Sequence, residues 1–139
     1  MEYALADTGL WYALFDSSDQ HHAAAKDKAD VLTLMQVILP WPTVYETLRT
    51  KFVRNAIGLD KFERFLKGPN ITCLDDAPFR AAALELSLDS SLRRRRPLSM
   101  VDCLIRLLVE DVNTRVNYLA TFNRRDFADI CARHRVEII

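Results

Sequence analysis

Short apolar runs alternate along the chain with longer segments whose apolar residues recur at helical spacing. Residues 3–6 (Tyr-Ala-Leu-Ala) are stopped by Asp7-Thr8-Gly9 and predict a buried strand. Residues 10–15 predict a short apolar helix, and 20–35, rich in Ala, Lys and Leu, a second one. The β-branched run 37–39, stopped by Pro40-Trp41-Pro42, predicts a short strand. A helix is expected over 43–54, with Val44, Tyr45, Leu48 and Phe52 on one face. Another amphipathic helix, 59–67, ends at Gly68-Pro69, a strong stop signal. Residues 71–74 predict a strand. Residues 77–88 predict a helix with Pro78 in its first turn, where a missing N–H costs little. A polar, basic loop (89–97) leads into a helix over 99–110, with Val101, Leu104, Ile105 and Leu108 on its apolar face. A strand at 116–121, a short helix at 126–133 and a closing strand at 136–139 complete the pattern.

Strands alternating with helices predict an α/β fold whose mainly parallel sheet is covered on both faces. In such sheets, strand C-termini and helix N-termini meet along one edge, and ligands bind there. At 139 residues and 50% hydrophobic content, the chain suits one domain over 1–139. Lys+Arg and Asp+Glu are both 19, so the net charge is zero. That excludes a uniformly basic nucleic-acid coat but leaves room for a local basic patch. No apolar stretch approaches the roughly 18 residues of a membrane span. Met1-Glu2-Tyr3 shows no secretory leader, and Cys73, Cys103 and Cys131 are odd in number and far apart. A reducing, cytoplasmic setting is the expectation.

Four acids fall at predicted strand-to-helix transitions: Asp7, Glu46, Asp102 and Asp126. Each has a plain structural role available. Thr43-x-x-Glu46 and Ser99-x-x-Asp102 match a capping box, Asn123-x-x-Asp126 resembles one, and Asp7 or Thr8 suits an N-cap. Asp102 could also pair with Arg106 one turn on. If the topology sets these helix starts side by side, the charges crowd one crevice. At 4 Å, two carboxylates repel by about 4 kcal/mol at an effective dielectric of 20. Protonation or a bound cation must then compensate, and helix N-termini favour the ionised form. All-oxygen ligands select Mg²⁺ or Mn²⁺ over zinc, and such ions serve phosphodiester hydrolysis.

The order of these motifs resembles the PIN domain. Asp7-Thr8 follows a short first strand; Pro42-x-x-Tyr45-Glu46 stands at a helix start; Leu98-Ser99-x-x-Asp102-x-x-Ile105 and Thr121-Phe122-Asn123-Arg124-Arg125-Asp126-Phe127 follow. The resemblance is closest to the small single-domain ribonucleases of bacterial VapC-like toxins and covers essentially the whole chain. It implies a three-layer α/β/α sandwich, an acidic site for Mg²⁺ or Mn²⁺, and endonucleolytic hydrolysis of RNA. It also implies a homodimer and, for a toxin, an antitoxin partner covering the acidic groove. Carried over by motif, Asp7, Glu46 and Asp102 are the core acids and Asp126 the fourth. Asn123 stands where many members carry Asp. Asp7, Asp102 and Asp126 are the expected metal ligands, and Glu46 the residue that orients or deprotonates the attacking water. Thr8, Ser99, Thr121 and Asn123 are the expected small polar residues around them.

Arg93, Arg94, Arg95 and Arg96 form the one dense charge run, just before the Asp102 helix. They fit either a solvated loop or steering of RNA phosphates toward the acids. Adjacent His21 and His22 show no zinc spacing. The cysteines sit on apolar segments and read as core. Trp11, Tyr12, Leu14 and Phe15 crowd one short helix; they read mostly as core, with their surplus a candidate dimer surface. A module of the same fold that binds RNA or protein without cutting remains the alternative.

Overall fold

Five of the short apolar runs form strands: β1 (Tyr3–Ala6), β2 (Gln36–Pro40), β3 (Ile71–Leu74), β4 (Tyr118–Ala120) and β5 (Glu137–Ile138). A computed structural model describes residues 1–139. The helices are α1 (Thr8–Phe15), α2 (His22–Leu32), α3 (Trp41–Thr47), α4 (Thr50–Val53), α5 (Ala56–Leu66), α6 (Ala77–Leu88), α7 (Met100–Glu110) and α8 (Arg124–His134). All strand pairs are parallel, in the order β3-β2-β1-β4-β5. Leu5 pairs in register with Ile38 on one side and Leu119 on the other. β1 is thus the central strand, and its chain continues directly into α1 at Asp7.

The period-2 alternation of strand side chains divides the core in two. Ala4, Ala6, Val37, Leu39 and Ala120 face one way and pack with Leu10, Trp11, Ala25, Val44, Phe52 and Phe62 from α1 to α5. Leu5, Ile38 and Leu119 face the other way, against Ala83, Leu104, Ile105, Leu108, Phe127 and Ile130 from α6 to α8. The result is the expected three-layer α/β/α arrangement. The aromatic surplus of α1 is spent inside it. Trp11 is 1% exposed and lies 4.6 Å, centroid to centroid, from Phe65. Phe15 meets Phe62 edge-on at 5.6 Å. α1 therefore leaves no large apolar side chain exposed for a dimer surface.

Among the boundaries that differ from the sequence expectation are the following three. Pro40 is the last residue of β2, in register with Leu74, and α3 begins at once at Trp41 with Pro42 in its first turn. A helix start tolerates proline because its first N–H groups lack partners anyway. The single helix expected over 43–54 is broken at Leu48-Arg49. Thr43 and Thr47 each donate a hydroxyl back to a carbonyl one turn earlier, at 2.7 Å, and such back-bonding bends helices. Part of the basic loop is also helical: Asp89–Arg93 continue α6 as one π-helical turn.

Candidate functional site

Asp7 leaves β1 and caps α1. Its Oδ1 accepts the N–H of Thr8, the first helical residue, at 2.8 Å. Its backbone N–H reaches Ala120 O of β4 at 3.0 Å, so the end of β4 lies alongside. There Thr121, only 2% exposed, donates its hydroxyl to Asp7 Oδ2 at 2.9 Å. The Thr121 oxygen in turn accepts the Asn123 N–H at 2.9 Å. On the other side Thr8, also buried, donates its hydroxyl to Glu46 Oε2 at 3.2 Å. Two buried threonines thus link the first acid to the second and to the turn that carries the fourth.

Ser99 caps α7, its hydroxyl accepting the Asp102 N–H at 3.0 Å. That is the expected half of a capping box, and it holds Asp102 in the first turn of α7. Asp126 lies in the first turn of α8. Asn123 precedes that helix but does not cap it with its side chain. Its amide donates to Asp126 Oδ2 at 2.7 Å instead. A carboxylate only accepts, so the amide nitrogen must face it. Glu46 departs from the expected placement. It is in the last turn of α3, and Thr43 bonds to Pro40 rather than forming a capping box with it. The α3 helix starts too early for Glu46 to open it. The Glu46 residue is largely exposed, while its carboxyl end reaches back to Thr8.

The acids act on one another. Burial raises the pKa of Asp7 above the ordinary carboxylate value and the charge of Asp126 adds to this, while Thr121 and Thr8 oppose it. Burial also raises Glu46, helped by Asp7 and Asp102, against the pull of Thr8 and Arg49. Asp102 is raised by burial, Asp7 and Asp126, with Ser99 opposing. Each of the four carboxylates therefore sits within repulsive range of at least one other. None of them forms an ion pair with a Lys, Arg or His side chain. This donor set, oxygen-only and without counter-ions, suits a hard divalent cation. No three His, Cys, Asp or Glu side chains form a ready-made grip on an ion. Mg²⁺ needs no such cage, since it keeps several waters and takes only one or two carboxylates.

Several neighbours were not legible as site residues. The Tyr12 hydroxyl, one turn on from Thr8, donates to the Glu46 carbonyl, and Arg49 lies over the Tyr12 ring at 4.2 Å. Thr8 and Tyr12 stand at i and i+4, a spacing that places them on one face of α1. Arg106 does not pair with Asp102. It forms a two-pronged ion pair with Asp129 of α8 at 2.7 and 2.9 Å and donates to Asp126 O at 2.8 Å. Arg96 joins the same carboxylate at 3.1 Å and reaches Arg125 O and Asp126 O. Between them these arginines hold the Asp129 carboxyl far below the usual range. They also bind α8 to α7 one turn behind the acids.

The arginine run divides. Arg93 and Arg94 pair with Asp89, at 3.4 and 3.0 Å, and Arg96 with Asp129. Arg95 has no carboxylate partner. Cys103 and Cys131 are in the core, as expected, and Cys73 is partly buried against it; burial pushes the Cys131 thiol up to about 11 and also raises Cys103. A thiol held protonated is a poor nucleophile. No helix is long and apolar enough to cross a membrane. No protein-family model matches the chain, and no curated protein matches it.

Proposed function

We propose that the protein is a Mg²⁺- or Mn²⁺-dependent endoribonuclease of the PIN type, acting as the toxin of a toxin–antitoxin pair. The observation that carries this reading is the placement of Asp7, Glu46, Asp102 and Asp126 at one sheet edge, where burial and neighbouring carboxylates raise the pKa of the first three and none of the four has an ion-pair partner. Asp7, Asp102 and Asp126 would hold the cation, directly or through water. The ion supplies Lewis-acid charge at the phosphoryl oxygens. Thr121 and the Thr8 N–H fix both oxygens of Asp7, and the Asn123 amide fixes one oxygen of Asp126. Glu46 serves as the proton acceptor for the attacking water. Its raised pKa brings it closer to the operating range of a general base. The Tyr12 and Thr8 hydroxyls orient it from the backbone and the carboxyl end.

An apolar groove of about 550 Å³ along α4 and α5, lined by Leu48, Val53, Ala56, Leu59, Phe62 and Leu66, supports a protein partner in the same proposal. The test of the activity is cleavage of a mixed pool of structured RNA by the purified protein, with Mg²⁺, with Mn²⁺ and with chelator. Cutting is expected only with metal. Asp7→Asn is expected to lower it by more than the roughly 10- to 100-fold typical of losing a residue that supports a metal ligand. A folded wild-type protein that binds RNA but never cuts it would favour the non-catalytic module.

A further inference from the structure

Beside the acids lies a mainly polar cleft of about 440 Å³, lined by Arg95, Arg96, Pro97, Asn123, Arg125 and Asp126. Asp126 and Asn123 belong to both, so the cleft opens directly off the acidic centre. Its cations are not equivalent. Arg96 is committed to Asp129. Arg95 and Arg125 form no ion pair and are exposed. The backbone that carries Arg95 is held in place. Its φ of 52° is a left-handed conformation that few residues with a Cβ adopt. The next residue is tied twice to buried Ser90, by the Arg96 N–H to Ser90 O at 2.9 Å and by the Ser90 hydroxyl to Arg96 O at 2.6 Å. Arg125 is steadied through its carbonyl by Arg96.

A polyanion approaching four uncompensated carboxylates needs a positive field beside them. Two guanidiniums without ion-pair partners in a mainly polar cleft suit a phosphate group, which a guanidinium can bind through paired N–H donors. We infer that Arg95 and Arg125 hold backbone phosphates of the RNA adjoining the bond to be cut, and that Arg93 and Arg94 do not. This rests on the ribonuclease reading for the identity of the ligand, but its test does not require cleavage.

The probe is a fluorescent single-stranded oligoribonucleotide, bound in the presence of chelator over a range of salt concentrations, with inorganic phosphate as competitor. Arg95→Asn with Arg125→Gln is compared with Arg93→Gln with Arg94→Gln; Asn suits the left-handed backbone at position 95. Melting curves check that both variants are folded. The first pair is expected to weaken binding about ten-fold at low salt. It should also flatten the salt dependence by about 1.4 in log–log slope, since each single-strand phosphate contact contributes about 0.7. The second pair should stay within about two-fold of wild type, because neither arginine lines the cleft and both turn to Asp89, which offsets one of their two charges. Phosphate should compete with wild type and lose that effect in the first pair. Equal losses in both pairs, an unchanged slope in the first, or no salt-dependent binding by wild type would each overturn the assignment. RNA binding that depends on Arg95 and Arg125 without any metal-dependent cutting would retain the cleft and remove the ribonuclease. Cutting with an unchanged KM in the first pair would do the reverse.

Discussion

Asp7 has two roles that oppose each other energetically. It caps α1 through the Thr8 N–H, and it is buried within reach of another negative charge. Its pKa is raised on folding, so the folded state keeps the proton to higher pH than the unfolded chain. Stability then falls as pH rises from the unfolded value, about 3.9, through the folded one. At neutral pH the ionised group is a cost. Asp7→Asn keeps the cap and removes the charge. It should raise the melting temperature at pH 7 by a few degrees. The gain should vanish below the unfolded pKa, where Asp7 is neutral in both states. Thermal melts across pH measure this directly; a variant less stable than wild type at pH 7 would contradict it. Asp129 is the opposite case. Arg106 and Arg96 depress its pKa, so its contribution is present above about pH 4 and is lost as pH falls below that. Asp129→Asn should cost about 1–2 kcal/mol at pH 7, the usual range for charged hydrogen bonds reduced for a partly exposed site. Urea unfolding at pH 7 and pH 3 should show the gap between the two proteins narrowing. Asp7, Asp102 and Asp126 were legible because each has a local signature, an acid at a helix start. The Asp129 clamp was not, because Arg96 and Arg106 lie 33 and 23 positions away and local spacing favoured Asp102 for Arg106.

At the scale of elements, the strands and most helices could be read from apolar periodicity alone. The departures come from residues whose local signals compete. Pro40-Trp41-Pro42 looks like a break between strand and helix, yet proline is compatible with a strand end and with a first helical turn, so the gap closes. Thr43 and Thr47 sit on an apolar helical face but bond back to the backbone, and the helix stops before Arg49. Glu46 thereby moves from a helix start to a last turn while still reaching Thr8. The contact between α1 and α5 shows a further constraint the pattern did not carry. Asn55 caps α5 by accepting the Gly58 N–H at 3.1 Å and also donates to Phe15 O. A Cβ on Gly58 would stand 2.6 Å from that same Phe15 carbonyl. The backbone cannot give way as a side-chain tip would. Gly58→Ala should therefore destabilise the protein by about 1–3 kcal/mol, the usual cost of overpacking. Equilibrium urea unfolding would detect it as a lower midpoint with an unchanged slope.

At the scale of the whole molecule, the sheet order brings the acids together. β1 lies between β2 and β4, so the residues that follow these three strands emerge side by side: Asp7 after β1, α3 with Glu46 after β2, and Thr121 to Asp126 after β4. The class of fold was legible from strand–helix alternation. The order β3-β2-β1-β4-β5 was not, because nothing local in a buried apolar strand names its neighbour. The convergence of the acids could accordingly be argued from the chain only as a condition; the topology sets the segments carrying Asp7, Glu46 and Asp126 side by side, while no three acids form a ready-made grip on an ion. What that convergence is for can be tested by titrating Mn²⁺ into the metal-free protein, following the bound ion by its paramagnetic effect and competing with Mg²⁺. Wild type should show saturable binding that Mg²⁺ displaces. Asp7→Asn and Asp102→Asn should each weaken it at least about ten-fold, since each removes a proposed ligand. Binding of equal strength in all three proteins, or none that saturates in wild type, would contradict a metal centre at this edge.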